Sequence, residues 1–142
     1  MINQIIPCNK DYTEIARTIY KAIKNHPKIV IFLNGSMGSG KTTFAKTLTR
    51  FYGSEAIQSA SFGLVNKLPG KNNIIHCDFY RCSFNEEFLD TEITPLLGDE
   101  FLLLIEWCSP QILDAEADHY CFEINALKDG SRSIIFSEIS SK

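Results

Sequence analysis

The sequence predicts an α/β fold: a single mixed β-sheet flanked by helices, with a C-terminal antiparallel hairpin. Three observations carry this expectation. Lys28-Ile29-Val30-Ile31-Phe32-Leu33 is a continuous β-branched and aromatic run, as in a parallel strand buried on both faces, and it passes through a glycine-rich turn into the helix-forming stretch Lys41–Leu48. Phe101–Glu106 is a second strongly apolar strand. Tyr120–Ile124 and Ile134–Phe136 alternate around the turn-forming Lys128-Asp129-Gly130-Ser131, which reads as a hairpin.

The remaining elements follow in chain order. After the short apolar start at Ile5 and Ile6, residues Asp11 to Asn25 place Ile15, Ile19, Ala22 and Ile23 on one helical face. Asp11 and Glu14 are spaced like a capping box, and Pro27 closes the helix. The helix that begins at Lys41 should end before Gly53. Phe62–Leu68 and Asn73–Asp78 read as strands separated by Pro69-Gly70-Lys71-Asn72, and Asn85–Thr91 as a short helix. No repeat, low-complexity tract or linker divides the chain, so residues 1–142 are expected to form one domain.

Composition narrows the function classes. The chain has 142 residues, 44% of them hydrophobic and 22% charged, with a mean hydropathy of -0.06, which is ordinary for a folded soluble protein. The net charge of -3 provides no general attraction to nucleic acid or anionic membrane, leaving only a local basic patch around Lys67 and Lys71. The five cysteines, at 8, 77, 82, 108 and 121, contain no C-x-x-C pair, as expected of buried or idle thiols in a reducing cytoplasm rather than of a zinc site. The start MINQIIPCNK has no long apolar segment, and the longest apolar runs are too short to span a membrane.

Gly35-Ser36-Met37-Gly38-Ser39-Gly40-Lys41-Thr42 fits G-x-x-x-x-G-K-[ST] at every required position, between an expected strand and an expected helix. Glycines let successive backbone N–H groups converge as an anion nest, and the helix N-terminus adds about half a positive charge. The fold class is therefore P-loop NTPase-like. Lys41 is expected to reach the β- and γ-phosphates of a nucleotide, and the Thr42 hydroxyl to ligate Mg²⁺. Such a loop works with a carboxylate on a neighbouring strand, and two strand-end acids are available, Asp78 and Glu106. Alternation along His76-Cys77-Asp78-Phe79-Tyr80-Arg81 would put His76, Asp78 and Tyr80 on one face, and on spacing alone a surface Asp with a half-buried His and Tyr is an equal alternative. Glu106, after Phe101-Leu102-Leu103-Leu104-Ile105, has the setting of a Walker B acid.

A GTPase is disfavoured: Asn66-Lys67-Leu68 is followed by Pro69 rather than aspartate, and no D-x-x-G occurs. A small-molecule kinase, with only Arg17, Arg50, Arg81 and Arg132 available for a lid, is one alternative. A non-catalytic, nucleotide-gated interaction module is another.

Taken together, these landmarks resemble the TsaE (YjeE) family of P-loop ATPases in bacterial tRNA threonylcarbamoyladenosine (t6A) biosynthesis. They are the start of the first helix near Thr13, the loop Gly35 to Thr43 with Phe44, a switch segment from Ser59 to Val65, His76-x-Asp78-x-Tyr80-Arg81, and Ile105-Glu106-Trp107. The resemblance implies a chain that binds ATP and Mg²⁺ and works with the TsaD and TsaB proteins, reaching tRNA through them. It implies Thr42 and Glu106 as Mg²⁺ ligands, Lys41, Asp78 and Glu106 as catalytic groups, and nucleotide contacts from Gly35, Met37, Gly38, Ser39, Gly40, Lys41, Thr42 and Thr43. Asp11, Thr13 and Arg132 correspond to the family's further nucleotide contacts.

Departures from the family pattern are local. The usual S-P-T-F switch reads Ser59-Ala60-Ser61-Phe62, Ser36 stands where an acid is often found, and a glycine common before the Walker B strand is absent from residues 86–97. Without the φ-fixing proline the switch is expected to be less preorganised. Ala60→Pro should therefore raise nucleotide affinity or turnover, measured by titration with a fluorescent nucleotide and by phosphate release. Unchanged values in both assays would refute this account of the switch.

Overall fold

Lys28–Gly35 is the middle strand of the sheet, with parallel neighbours on both sides. The computed structural model of the chain describes residues 1–36, 38–54, 65–68, 73–80 and 82–140. In chain order its elements are β1 (Ile2–Ile6), α1 (Thr13–Ile23), β2 (Lys28–Gly35), α2 (Lys41–Phe51), β3 (Val65–Leu68) and β4 (Asn73–Asp78). A helical run then comprises α3 (Glu86–Phe88), a π-helical turn (Leu89–Ile93) and α4 (Thr94–Leu97), followed by β5 (Phe101–Glu106), β6 (Asp118–Ala126) and β7 (Arg132–Ile139). The strands form one mixed sheet in the order β1-β7-β6-β2-β5-β4-β3.

Side-chain alternation on β2 explains why both faces are covered. Ile29, Ile31 and Leu33 point into a core shared with α1 and α2, while Val30 and Phe32 point into a second core with the 86–97 helical run. In the first core the rings of Phe44 and Phe122 stack with centroids 3.7 Å apart, locking α2 onto β6, and Tyr12 meets Phe44 edge-on. The second core gathers Ile75, Cys77, Leu103 and Ile105 under Phe79, Ile93 and Leu97.

Several elements differ from the sequence expectation. The apolar start is an edge strand, β1, paired antiparallel with β7, a partner more than a hundred residues away. Asp11 does not form a reciprocal capping box: its carboxylate accepts from the Thr13 N–H at 3.0 Å, and the residue before the helix is Tyr12. Ala16 rather than Ala22 completes the buried face of α1, since Ala22 is exposed. The helix expected at Asn85–Thr91 continues to Leu97, with the Asn85 side chain capping its start by accepting from the Phe88 N–H at 2.7 Å. The hairpin strands are longer than alternation suggested, and β6 enters the sheet parallel to β2, so antiparallel pairs lie towards both edges. The turn at 69–72 and the first residues of the strand expected from Phe62 lie outside the described residues.

Cys77 and Cys108 are buried, Cys8 and Cys82 exposed, and none forms a disulfide. Burial pushes the Cys77 thiol up to about 12, far from reactive thiolate character. Among the described residues no helix is long and apolar enough to cross a membrane.

His119 closes the connection between β5 and β6. Its Nε2 accepts from the Leu113 N–H at 2.9 Å and its Nδ1–H donates to the Ala117 carbonyl at 3.1 Å, a pairing that requires a neutral ring. Burial holds its pKa below the ordinary 6.5, outweighing the upward pull of the Ala117 bond, Asp114 and Asp118. The unfolded chain therefore takes up this proton first, so the stabilisation is complete above pH 6.5 and erodes as pH falls from there to the lower folded-state value. Thermal melts are expected to show the wild-type Tm dropping more between pH 7.5 and pH 5 than that of His119→Gln. Parallel curves would contradict this.

Candidate functional site at the glycine loop

The loop between β2 and α2 is tightly confined. Gly35 has φ 156°, and a Cβ there would lie 2.5 Å from the Ile124 carbonyl of β6, so only glycine allows the sheet to approach this closely. Gly40, immediately before α2, has φ 114°, and a Cβ there would collide with the Tyr12 hydroxyl. That hydroxyl donates to the Ser39 carbonyl at 3.3 Å, so the loop is braced by β6 on one side and by the start of α1 on the other. The first turn of α2 carries no acidic residue, which leaves the positive end of its dipole uncompensated.

Lys41 is 5% exposed. Its ammonium donates to the Gly35 carbonyl at 2.7 Å and lies 3.4 Å from the ring centroid of Trp107. Burial pushes its pKa down, against the pull of Glu106 and Asp78 in the opposite direction. Trp107 adopts φ 60° just after β5, and its half-exposed ring leans on that of Tyr80, with centroids 4.9 Å apart.

Strand register delivers the acids. β5 pairs in parallel with β2 and with β4, so Leu33, Glu106 and Asp78 lie side by side at the C-terminal edge of the sheet. This is where open α/β sheets present ligand sites. Glu106 is 2% exposed, and its Oε2 accepts from His76 Nε2 at 2.6 Å and from the Thr42 hydroxyl at 3.3 Å. Asp78 is half-buried and accepts from the Tyr80 N–H at 2.8 Å. His76 is buried, which excludes the alternative of a half-buried histidine, and Tyr80 lies beyond the strand in a turn, half exposed.

A cleft of about 320 Å³ brings together Gly38, Gly40, Lys41, Thr42, Thr43, Asp78 and Glu106 from the sequence-predicted set, with Tyr80 and Trp107 at its walls. Ser39 is buried in the loop, and its hydroxyl has no partner among the described residues. Thr42 Oγ1 and the Glu106 carboxylate are hard oxygen donors, the chemistry that suits Mg²⁺ when substrate phosphates complete its shell. Met37 lies outside the described residues, as do Arg81 and the switch segment up to Leu64.

Asp11 and Thr13 do not line this cleft. They border a separate cavity of about 560 Å³ beside Lys10, Glu14 and Arg17, between the end of β1 and the start of α1. Arg132, at the start of β7, belongs with them: it donates to the Lys10 and Pro7 carbonyls, and its guanidinium lies 4.5 Å over the Tyr12 ring. Tyr12 therefore links the two regions. Neither Tyr12 nor His76 is among the residues the sequence singles out for the site. For His76 the signals are its place two positions before Asp78 on a strand and in the His76-x-Asp78-x-Tyr80-Arg81 landmark, neither of which gives it a role; for Tyr12 there is none, because its role depends on contact with a loop 27 residues away.

The family described as "Threonylcarbamoyl adenosine biosynthesis protein TsaE" matches residues 6–134. The tRNA threonylcarbamoyladenosine biosynthesis protein TsaE of Aquifex aeolicus is 31% identical over 137 residues, 92% of this chain and 91% of that protein. The protein of the same name from Borreliella burgdorferi is 38% identical over 85 residues, 58% of this chain and 61% of its own. In three dimensions the chain is similar to YdiB of Bacillus subtilis, with a TM-score of 0.64 at 22% identity over 98% of this chain and 86% of that one, a likeness of fold.

The bracing of the loop leads to a test. Gly40→Ala should lower stability by about 1–3 kcal/mol, from the left-handed backbone and the clash with Tyr12 together. Adding Tyr12→Phe should recover part of that loss by removing the hydroxyl. Denaturant melts of the single and double variants measure both; strictly additive losses would show that the two residues do not press on each other.

Proposed function

The chain belongs to the TsaE family of threonylcarbamoyl adenosine biosynthesis proteins, and from that premise we propose that it binds ATP with Mg²⁺ and hydrolyses it in tRNA t6A modification. In this reading it acts in the cytoplasm as one P-loop domain together with the TsaD and TsaB proteins, and meets tRNA only through them, in keeping with its net charge of -3. The observation that carries the reading is the convergence of Lys41, Thr42, Asp78 and Glu106 on one cleft beneath the glycine loop.

The loop N–H groups and the N-terminus of α2 bind the phosphates. Lys41 exchanges the Gly35 carbonyl and the Trp107 ring for phosphate oxygens. Because its ammonium is already desolvated, little solvent reorganisation opposes that exchange. Thr42 and Glu106 would hold Mg²⁺, which would supply charge neutralisation for the phosphates. Glu106 orients the attacking water, with Asp78 as the alternate. Asp11, Thr13 and Arg132 are further nucleotide contacts in this reading. Catalysis is then positioning and electrostatics, slow until the partner pair completes the site.

The test is ATP hydrolysis by the purified chain, alone and with TsaD and TsaB, with Lys41→Ala as the blank. The expected result is stimulation by the pair, abolished in Lys41→Ala and reduced roughly 100-fold or more in Glu106→Gln. Equal hydrolysis with and without the pair would point to an independent ATPase or kinase. Binding without hydrolysis in either case would make the chain a nucleotide-gated module.

A further inference from the structure

We propose that His76 is a positioning residue for Glu106: it anchors one carboxylate oxygen from beneath, so that the other is available to the metal or to water in the cleft. The inference rests on the role given to Glu106 above. It starts from a pair that is costly to bury. The side chains of His76 and Glu106 are 1% and 3% exposed, their Nε2 and Oε2 atoms are 2.6 Å apart, and no other described cation pairs with Glu106. A carboxylate removed from water this completely is stable only when hydrogen-bonded.

Both hydrogen bonds to Glu106 fall on the same oxygen. His76 Nε2–H and Thr42 Oγ1–H converge on Oε2, while no described side chain hydrogen-bonds Oε1. An ionised carboxylate only accepts, so the histidine carries its proton on Nε2 and donates. Strand register makes this geometry rigid. His76 stands opposite Leu104 and Asp78 opposite Glu106 on the parallel β4–β5 pair, so the histidine approaches from within the sheet while Asp78 occupies the rim. Thr42 belongs to the first turn of α2, whereas His76 belongs to the sheet. Its bond therefore holds the carboxylate in place when the Thr42 hydroxyl turns to a metal. Outer partners of ligating carboxylates act in this way, and their loss commonly costs about 10- to 100-fold in metal affinity or activity.

The experiment compares His76→Leu, which fills space without a donor, with His76→Gln, whose amide N–H reaches towards the same oxygen. Each is followed by circular dichroism melting, by affinity for the fluorescent nucleotide mant-ADP without Mg²⁺, and by the Mg²⁺ concentration that half-maximally tightens mant-ATP binding. For ATP hydrolysis with TsaD and TsaB, kcat and KM are measured separately. His76→Leu should raise the Mg²⁺ midpoint and lower kcat by about 10- to 100-fold, with mant-ADP affinity and KM unchanged, and His76→Gln should recover most of both losses. A folded His76→Leu protein with wild-type midpoint and kcat would overturn the inference. Equal impairment of the Gln and Leu variants would do the same, reducing His76 to a packing residue. If His76→Leu does not fold, His76→Met replaces it as the variant without a donor. Wild-type protein that binds mant-ATP with Mg²⁺ yet hydrolyses nothing would count against the proposed ATPase alone, and the Mg²⁺ midpoints would still decide for or against His76. Wild-type nucleotide binding indifferent to Mg²⁺ would overturn both readings.

Discussion

Parallel pairing of β5 between β2 and β4 sets one residue from each of the three strands at one level, and the cleft is a consequence of that register. Leu33, Glu106 and Asp78 are cross-strand neighbours, and two residues beyond Leu33 the chain leaves β2 at Gly35 to form the loop. Because strand side chains alternate with a period of two, a slip of one residue would turn Glu106 towards the opposite face of the sheet and away from Thr42. The apolar run Phe101–Ile105, buried along its whole length, makes such a slip costly, so core packing and site geometry are set by the same contacts.

Charge placement in the cleft shows how the protein keeps reactive groups buried without a ligand. Among the described residues Lys41 rests on a carbonyl and an aromatic face rather than in a direct ion pair with an acid, which leaves its ammonium ready to meet an anion. Glu106 is tied to a histidine and a hydroxyl instead of to Lys41, although both carboxylates lie close enough to act on the lysine's ionisation. A direct Lys41–Glu106 salt bridge would be satisfied by itself and would have to break before phosphate could enter. Separate partners for each charge avoid that barrier.

The loop also answers to structure outside the cleft. Tyr12 bonds to the Ser39 carbonyl, packs on Phe44 of α2 and supports the Arg132 guanidinium, so the start of α1, the loop and the start of β7 form one contact chain. This gives a physical link between the cleft and the cavity near Asp11 and Thr13.

How much of this is legible in the sequence depends on the range of the interaction. The glycine loop, the flanking strand and helix and the apolar strand ending in Glu106 are local patterns, and each is found where the residues predict it, because backbone conformation and burial periodicity are written in neighbouring residues. Element ends are less legible: the helical run continues to Leu97 through a π turn, and β1 becomes a strand only because β7 offers it an edge. The partners of the functional groups are not legible at all. Nothing near position 76 says that its ring will lie 2.6 Å from a carboxylate thirty residues on, and nothing near position 12 says that its hydroxyl will make Gly40 indispensable. By itself the sequence determined which residue types could bind phosphate and which strands could bury both faces, since those are short-range properties. Only the tertiary structure decided which oxygen of Glu106 is held and which side chains brace the loop, because hydrogen bonds of that kind depend on strand register and on the packing of helix against sheet.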